Sequence, residues 1–196
     1  MYREMGDLLP MLSSPEKNTL LRKEVKDGAV LMMATESTRK HAVTEFKRRY
    51  ASVPDSFWEW YQTLSDSSQK VAMFYVMLKT YRIFFDLQFN VVLQHWNSAD
   101  QTVTIQDLLL GFNEIAARDE FVDSWSAKTK EKLSSAILSV LRKVGLLEEN
   151  TANLKSPDFY DVDFSYYIAS GENWFLEACL LQPYEIENIK KHNNDH

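Results

Sequence analysis

Apolar residues in this chain recur at helical rather than strand-like spacing, and they are densest between Val71 and Trp96. Phe74, Tyr75, Val76, Leu78, Tyr81, Ile83, Phe84, Phe85, Leu87, Phe89, Val91, Val92 and Leu93 leave that stretch almost no polar face, which is the pattern of a buried helix. Its charges, Lys79, Arg82 and Asp86, share one narrow stripe, where Arg82 reaches Asp86 one turn later. One long helix, or two nearly collinear ones, is therefore expected at the centre of the fold, about 40 Å long at the usual helical rise. No Gly or Pro occurs between Pro54 and Gly111, which favours helix throughout. A membrane span is disfavoured, because the three charges interrupt the apolar run in its middle.

Further helices are expected on both sides of this centre. Met1 to Leu12 is short and mixed and reads as loosely docked. Ser14-Pro15-Glu16 has the form of a helix start, with the helix running to about Met33 unless Gly28 breaks it. Ser37 to Ala51 forms the next, capped by Thr35 or Ser37, with Val43, Phe46 and Tyr50 on its buried face. Ser56 and Glu59 have capping-box spacing ahead of Phe57, Trp58, Trp60 and Tyr61, and Asp66 to Gln69 repeats the signal. Thr104 with Asp107 caps a helix containing Gly111, which is either tolerated or marks a close crossing. The polar run Glu148 to Lys155 is the best candidate boundary, giving a main body over 1–149 and an acidic, aromatic segment over 150–196. In that segment Ser156-Pro157-Asp158 resembles a helix start, Phe159, Tyr160, Phe164, Tyr166, Tyr167, Trp174 and Phe175 are expected to pack on the central helix, and the chain is expected to fray from Lys190. The fold class is thus all-α, a compact helical bundle.

Lys128 to Val144 carries most of the functional information. At 100° per residue Leu133, Ile137, Val140, Leu141 and Val144 fall in one apolar sector. Opposite them lie Lys128, Lys132, Ser135, Ser139, Arg142 and Lys143, with no acid among them and Glu131 at the margin. Cations interleaved with hydroxyls suit a phosphate backbone, because the cations release counterions and the small donors fix register. A solvated helix face is the competing reading. The absence of acids argues against it, since solvated faces usually mix signs, whereas Arg142 and Lys143 also suit the helix dipole. Gly145 sits where a left-handed terminator is wanted.

A second basic cluster comprises Arg39, Lys40, Lys47, Arg48 and Arg49. Lys40 and Lys47 share a face flanked by Arg48. Arg39 lies beside Val43 and Phe46, its stem packed and its head expected in water. Arg49 points away from Lys40 toward Glu45, as an intramolecular partner would.

The formal charge of −6 is unevenly spread: residues 147–196 hold ten acids against three lysines, and residues 1–146 hold nineteen basic against eighteen acidic side chains. Acidity therefore belongs to the C-terminal quarter and leaves the remainder able to present positive patches. The single cysteine, Cys179, cannot form an internal disulfide and lies among apolar neighbours, which implies a buried, inert thiol and a cytoplasmic protein. No charged-then-apolar leader opens the sequence. A Gly-rich phosphate loop, paired Cys or His at metal spacing and a nucleophile elbow are all missing, so the sequence implies no cofactor, no metal and no catalytic constellation. His95, in an apolar setting, reads as a hydrogen-bonded core residue.

The runs Glu36-Ser-Thr-Arg-Lys to Phe46-Lys-Arg-Arg-Tyr, Lys70 to Phe85 with Phe74-Tyr75 and Lys79-Thr80-Tyr81, and Trp125-Ser126 through Lys132-Leu133 to Leu141-Arg-Lys-Val-Gly-Leu-Leu-Glu148 resemble the BrxA proteins. These are small components of BREX, the bacteriophage exclusion systems of bacteria. The resemblance spans roughly Ser14 to Glu149. It implies an all-helical arrangement similar to that of the antitermination factor NusB, binding of double-stranded DNA without enzymatic activity, and work beside other BREX proteins. Lys132, Arg142, Lys143, Arg48 and Arg49 are the matched basic candidates. Two alternatives stay open: a protein-interaction module that docks through the acidic, aromatic C-terminal segment, and RNA binding by stacking on exposed aromatics such as Trp58 or Trp60.

Overall fold

Helix-compatible spacing is realised throughout the computed structural model, which describes residues 2–157 and 162–194. No strand longer than an isolated bridge occurs among the described residues. Two compact units divide the chain, Met1–Thr80 and Tyr81–His196. Of the two forms expected for the central stretch, one long helix or two, the chain takes the divided one. It breaks at Tyr81, whose backbone is extended (φ −119°, ψ 98°) and whose carbonyl accepts the first hydrogen bonds of the following helix. Thr80 contributes to the break by donating its hydroxyl back to Val76 O at 2.6 Å, a bond that competes with regular helix propagation. The boundary expected at 149–150 falls instead in the tip of a hairpin, described below.

The first unit is built from α1 (Tyr2–Leu12), α2 (Lys17–Asp27), α3 (Glu36–Tyr50), α4 (Asp55–Thr63) and α5 (Asp66–Thr80). Contrary to expectation, the N-terminal stretch is firmly docked: Met5, Leu8, Leu9 and Leu12 recur on one face of α1 and are buried. Gly6 and Pro10 hide this in the sequence, but burial outweighs their poor propensity. The next helix stops at Gly28, short of Met33. Beyond it the buried Glu24 carboxylate accepts the backbone N–H groups of Val30 and Leu31, holding the connection to α3. Thr35 caps α3. No side-chain cap opens α4, so the expected Ser56–Glu59 box is not formed there; Pro54 in extended conformation starts the helix directly. Trp58 is buried, stacked on Tyr50 with ring centroids 5.5 Å apart, and donates its indole N–H to Tyr50 O. That removes it as an exposed stacking platform, and Trp60 is half-buried. The Tyr50 hydroxyl donates to Asp55 Oδ1 at 2.8 Å; burial first, and then this bond, push its pKa up to about 12.

The second unit starts with α6 (Arg82–Leu87), a π-helical turn (Gln88–Val92) and α7 (Leu93–Trp96). Arg82 and Asp86 approach to 3.7 Å, as their spacing implies. Against this run packs α8 (Ile105–Ala116), opened by the expected capping box of Thr104 and Asp107. Gly111 marks a close crossing: a Cβ there would lie 2.4 Å from Val91 Cγ2 and 2.9 Å from Leu87 Cδ2. Burial alone would raise the Asp107 carboxyl, but hydrogen bonds from the Thr104 hydroxyl and N–H, with His95 at 3.6 Å, hold it below its ordinary range. His95 itself is half-buried beside that carboxylate. One turn, α9 (Glu120–Asp123), leads to α10 (Ala127–Lys143). Short helices α11 (Ser165–Ala169), α12 (Trp174–Ala178) and α13 (Pro183–Asn194) complete the unit. Trp174 packs on Phe85 and Phe89, as expected for the C-terminal aromatics, and Gln88 Nε2 donates to Ala178 O. Cys179 is buried, which pushes its thiol well above the ordinary value. Asp158, Phe159 and Tyr160 lie outside the described residues, as does His196. The helical backbone of α13 continues past Lys190 to Asn194, beyond the point where fraying was expected.

Candidate nucleic-acid interface

Local chemistry fixes both ends of α10. Ser126 Oγ accepts the N–H of Thr129 at 3.2 Å, and at the other end Gly145 adopts φ 81° so that Leu146 N–H reaches Leu141 O at 2.8 Å and Gly145 N–H reaches Arg142 O. The helix packs against α8. Its buried side chains are Ser134, Ile137, Leu138, Leu141 and Val144, while Leu133 and Val140 are half-buried. The seam is thus rotated toward Ser134 and Leu138 relative to the apolar sector read from the sequence.

The rotation leaves most of the opposite stripe in solvent. Lys128, Lys132, Ser135 and Lys143 are exposed; Ser139 and Arg142 are half-buried. From Lys128 to Lys143 the face runs about 22 Å at the helical rise. Among the described residues none of the three lysines makes an ion pair, and no carboxylate of the C-terminal segment neutralises them. Arg142 differs from them, because its Nη2 donates to Thr151 O at 3.2 Å and so serves the neighbouring loop.

That loop belongs to a small antiparallel ladder without strand-like periodicity in the sequence. Leu147 pairs with Leu154, and Asn153 pairs with Thr102 just ahead of α8. Val103 N–H to Ala152 O and Leu154 N–H to Gln101 O, both 2.8 Å, tie the segments together, so residues 101–103, 146–148 and 152–155 form one three-stranded patch. Glu148 Oε2 accepts from Asn153 Nδ2 and Thr151 Oγ1, turning that acid into the hairpin, while Glu149 is exposed at its tip.

The second cluster, on α3, is divided by the structure. Arg39 does not send its head to water: Nε, Nη1 and Nη2 donate to Val25 O, Met33 O and Lys26 O at 2.7–2.8 Å, so the guanidinium caps the end of α2. Arg49 is buried, its guanidinium 5.7 Å from the Phe46 ring centroid. Lys40, Lys47 and Arg48 are exposed, and Lys47 Nζ donates to Asn18 Oδ1. The Arg39 bonds and the Lys47–Asn18 bond set α2 and α3 antiparallel. Arg22 and Lys26, one and two turns beyond Asn18 on α2, are also exposed. These two exposed cations were not singled out from the sequence. The two clusters belong to different compact units, α3 to the first and α10 to the second.

The C-terminal aromatics are mostly committed to the core: Phe164, Tyr167 and Phe175 are buried, with Tyr167 and Phe175 rings 4.4 Å apart. Large apolar side chains exposed elsewhere in the second unit are Leu110, Phe121 and Tyr184. No helix of the described residues is long and apolar enough to cross a membrane.

Comparison with known proteins adds a family to this geometry. The family model described as BrxA matches residues 1–169. A crystal structure of an uncharacterized protein from Magnetospirillum magneticum superimposes with a TM-score of 0.72 at 18% identity, covering 91% of this chain and 90% of that one, which shows a shared fold. No curated protein matches the chain.

Proposed function

Since the chain belongs to the BrxA family and so to the BREX phage-defence systems, we propose that it serves there as a non-enzymatic protein that binds double-stranded DNA. The observation that carries this reading is the outer face of α10, on which Lys128, Lys132 and Lys143 stand exposed with Ser135 between them and without ion-pair partners among the described residues. Unpaired cations along a rigid rod suit a polyanion, and hydroxyls set register against it. Lys40, Lys47, Arg22 and Lys26 offer a second positive surface on the other unit. Other BREX proteins are the expected protein partners, and the exposed Leu110, Phe121 and Tyr184 are the large apolar side chains available to them on the second unit.

Fluorescence anisotropy with a labelled duplex tests the reading. Lys128→Glu together with Lys132→Glu, both exposed and therefore compatible with folding, should lower affinity at least tenfold at about 0.1 M salt, where charges are screened beyond roughly 10 Å. Unaltered affinity would reject the α10 face. Preference for structured RNA over duplex DNA at equal salt would move the assignment to RNA.

A further inference from the structure

We propose that the turn between α8 and α10, with Phe121 exposed on it, docks a basic, arginine-bearing segment of a protein partner. This deepens, and rests on, the expectation of a protein partner stated above; it does not require duplex binding.

An aromatic side chain left in solvent on a rigid base is the first support. Phe121 is 71% exposed, although burial would stabilise it, and its neighbour Val122 already supplies the core contact of α9. Short-range bonds fix the backbone that carries it: Asp119 Oδ1 accepts the N–H groups of Phe121 and Val122, and Ser124 Oγ donates to Phe121 O. The Phe121 ring makes a T-shaped contact with Trp125, centroids 5.5 Å apart, and the half-buried Trp125 packs in turn on Phe112 of α8. Little ordering entropy is left to lose when a partner covers this pair. Aromatic side chains of this kind are the ones enriched at the centre of protein interfaces.

Charge is the second support, and it decides what docks. Glu114, Glu120 and Asp123 are exposed and make no ion pair among the described residues. Arg118 is the only base in the sequence between Asp107 and Ala127. Glu114 shares the outer face of α8 with Leu110, one turn earlier, and with Ala117, both exposed, so apolar and acidic positions alternate along that face as they do in the turn. Unpaired carboxylates beside apolar surface repel phosphates and anionic lipid and attract a cationic partner. Arginine satisfies both parts of the surface: its planar guanidinium stacks on an aromatic ring and forks onto a carboxylate, whereas a lysine ammonium is a point charge. The turn is thus opposite in sign to the exposed stripe of α10, and polycation and polyanion are drawn to different parts of the second unit.

Selection from a yeast-displayed random peptide library, with the full chain as target, tests the inference. The expected result is enrichment of peptides carrying arginine beside an aliphatic or aromatic residue. A synthetic enriched peptide should bind Phe121→Ser at least about tenfold more weakly, and Phe121→Tyr nearly as well as the parent. Glu120→Lys combined with Asp123→Lys should weaken binding and remove most of its salt dependence. Duplex affinity and far-UV circular dichroism of Phe121→Ser should match those of the parent. Enrichment of acidic or uncharged peptides, or of none, overturns the proposal, and so does binding that survives both Phe121→Ser and the charge reversal. Equal loss of peptide and duplex binding in a folded Phe121→Ser assigns the side chain to the nucleic-acid interface and overturns it as well. Self-association of the parent chain, read by sedimentation and abolished by Phe121→Ser, puts a second copy in place of the partner and overturns the assignment to a foreign segment. Peptide binding by a parent chain that fails to bind duplex supports this docking surface while rejecting duplex binding.

Discussion

Removing the exposed lysines of α10 should change the salt dependence of DNA binding by a calculable amount. Lys128, Lys132 and Lys143 are free of ion pairs among the described residues, whereas Arg142 is engaged with Thr151 O. Three lysines on three phosphates contribute about 2.7 to the slope of log affinity against log salt, at roughly 0.9 per phosphate neutralised. Between 50 and 200 mM salt that contribution alone corresponds to a loss of affinity of about fortyfold. The variant with all three lysines replaced by alanine should therefore show a slope shallower by about 2.7, whatever the patch on the first unit adds to the total. If Arg142 releases Thr151 on binding, its replacement by alanine should remove roughly a further 0.9. Anisotropy titrations at five salt concentrations, with circular dichroism confirming the fold, measure these slopes directly. A change smaller than about 0.5 in the triple variant would mean that the stripe does not face phosphates, and the duplex-binding assignment would lose its structural basis.

Gly111→Ala should destabilise the second unit by about 1–3 kcal/mol in urea unfolding, because its Cβ would enter the space of Val91 and Leu87 at the helix crossing. Arg39→Ala should cost about 2–4 kcal/mol by removing three charge-assisted bonds to backbone carbonyls, with little rescue by lysine; a loss confined to DNA affinity would contradict its capping role. The Tyr50 phenol is raised to about 12 in the folded chain, above its ordinary value near 10, so its contribution to stability is complete below about pH 10 and declines as the pH rises toward 12. Tyr50→Phe should accordingly flatten the alkaline fall in unfolding midpoint, and an identical fall in both proteins would refute the coupling to Asp55. Glu149→Lys converts the hairpin tip from repelling to attracting a backbone and should steepen the salt slope by about 0.9; no steepening would place the tip away from DNA.

What the sequence determined by itself was whatever depends on neighbours along the chain. Helical periodicity, the Thr104–Asp107 box, the Gly145 terminator and the Arg82–Asp86 pair all concern residues within a turn or two of each other, where backbone geometry leaves few alternatives. The stripe of α10 was legible for the same reason, since a straight helix converts spacing into direction. Tertiary structure decided the questions of who meets whom across long separations. It docked α1 in spite of Gly6 and Pro10, buried Trp58 under Tyr50, and turned Arg39 from a surface cation into a cap on α2. It also paired Thr102 with Asn153 and set Lys47 against Asn18 of α2, which no local pattern encodes. Those outcomes follow from the filling of a shared core and the satisfaction of backbone carbonyls, conditions imposed only when distant segments compete for the same space.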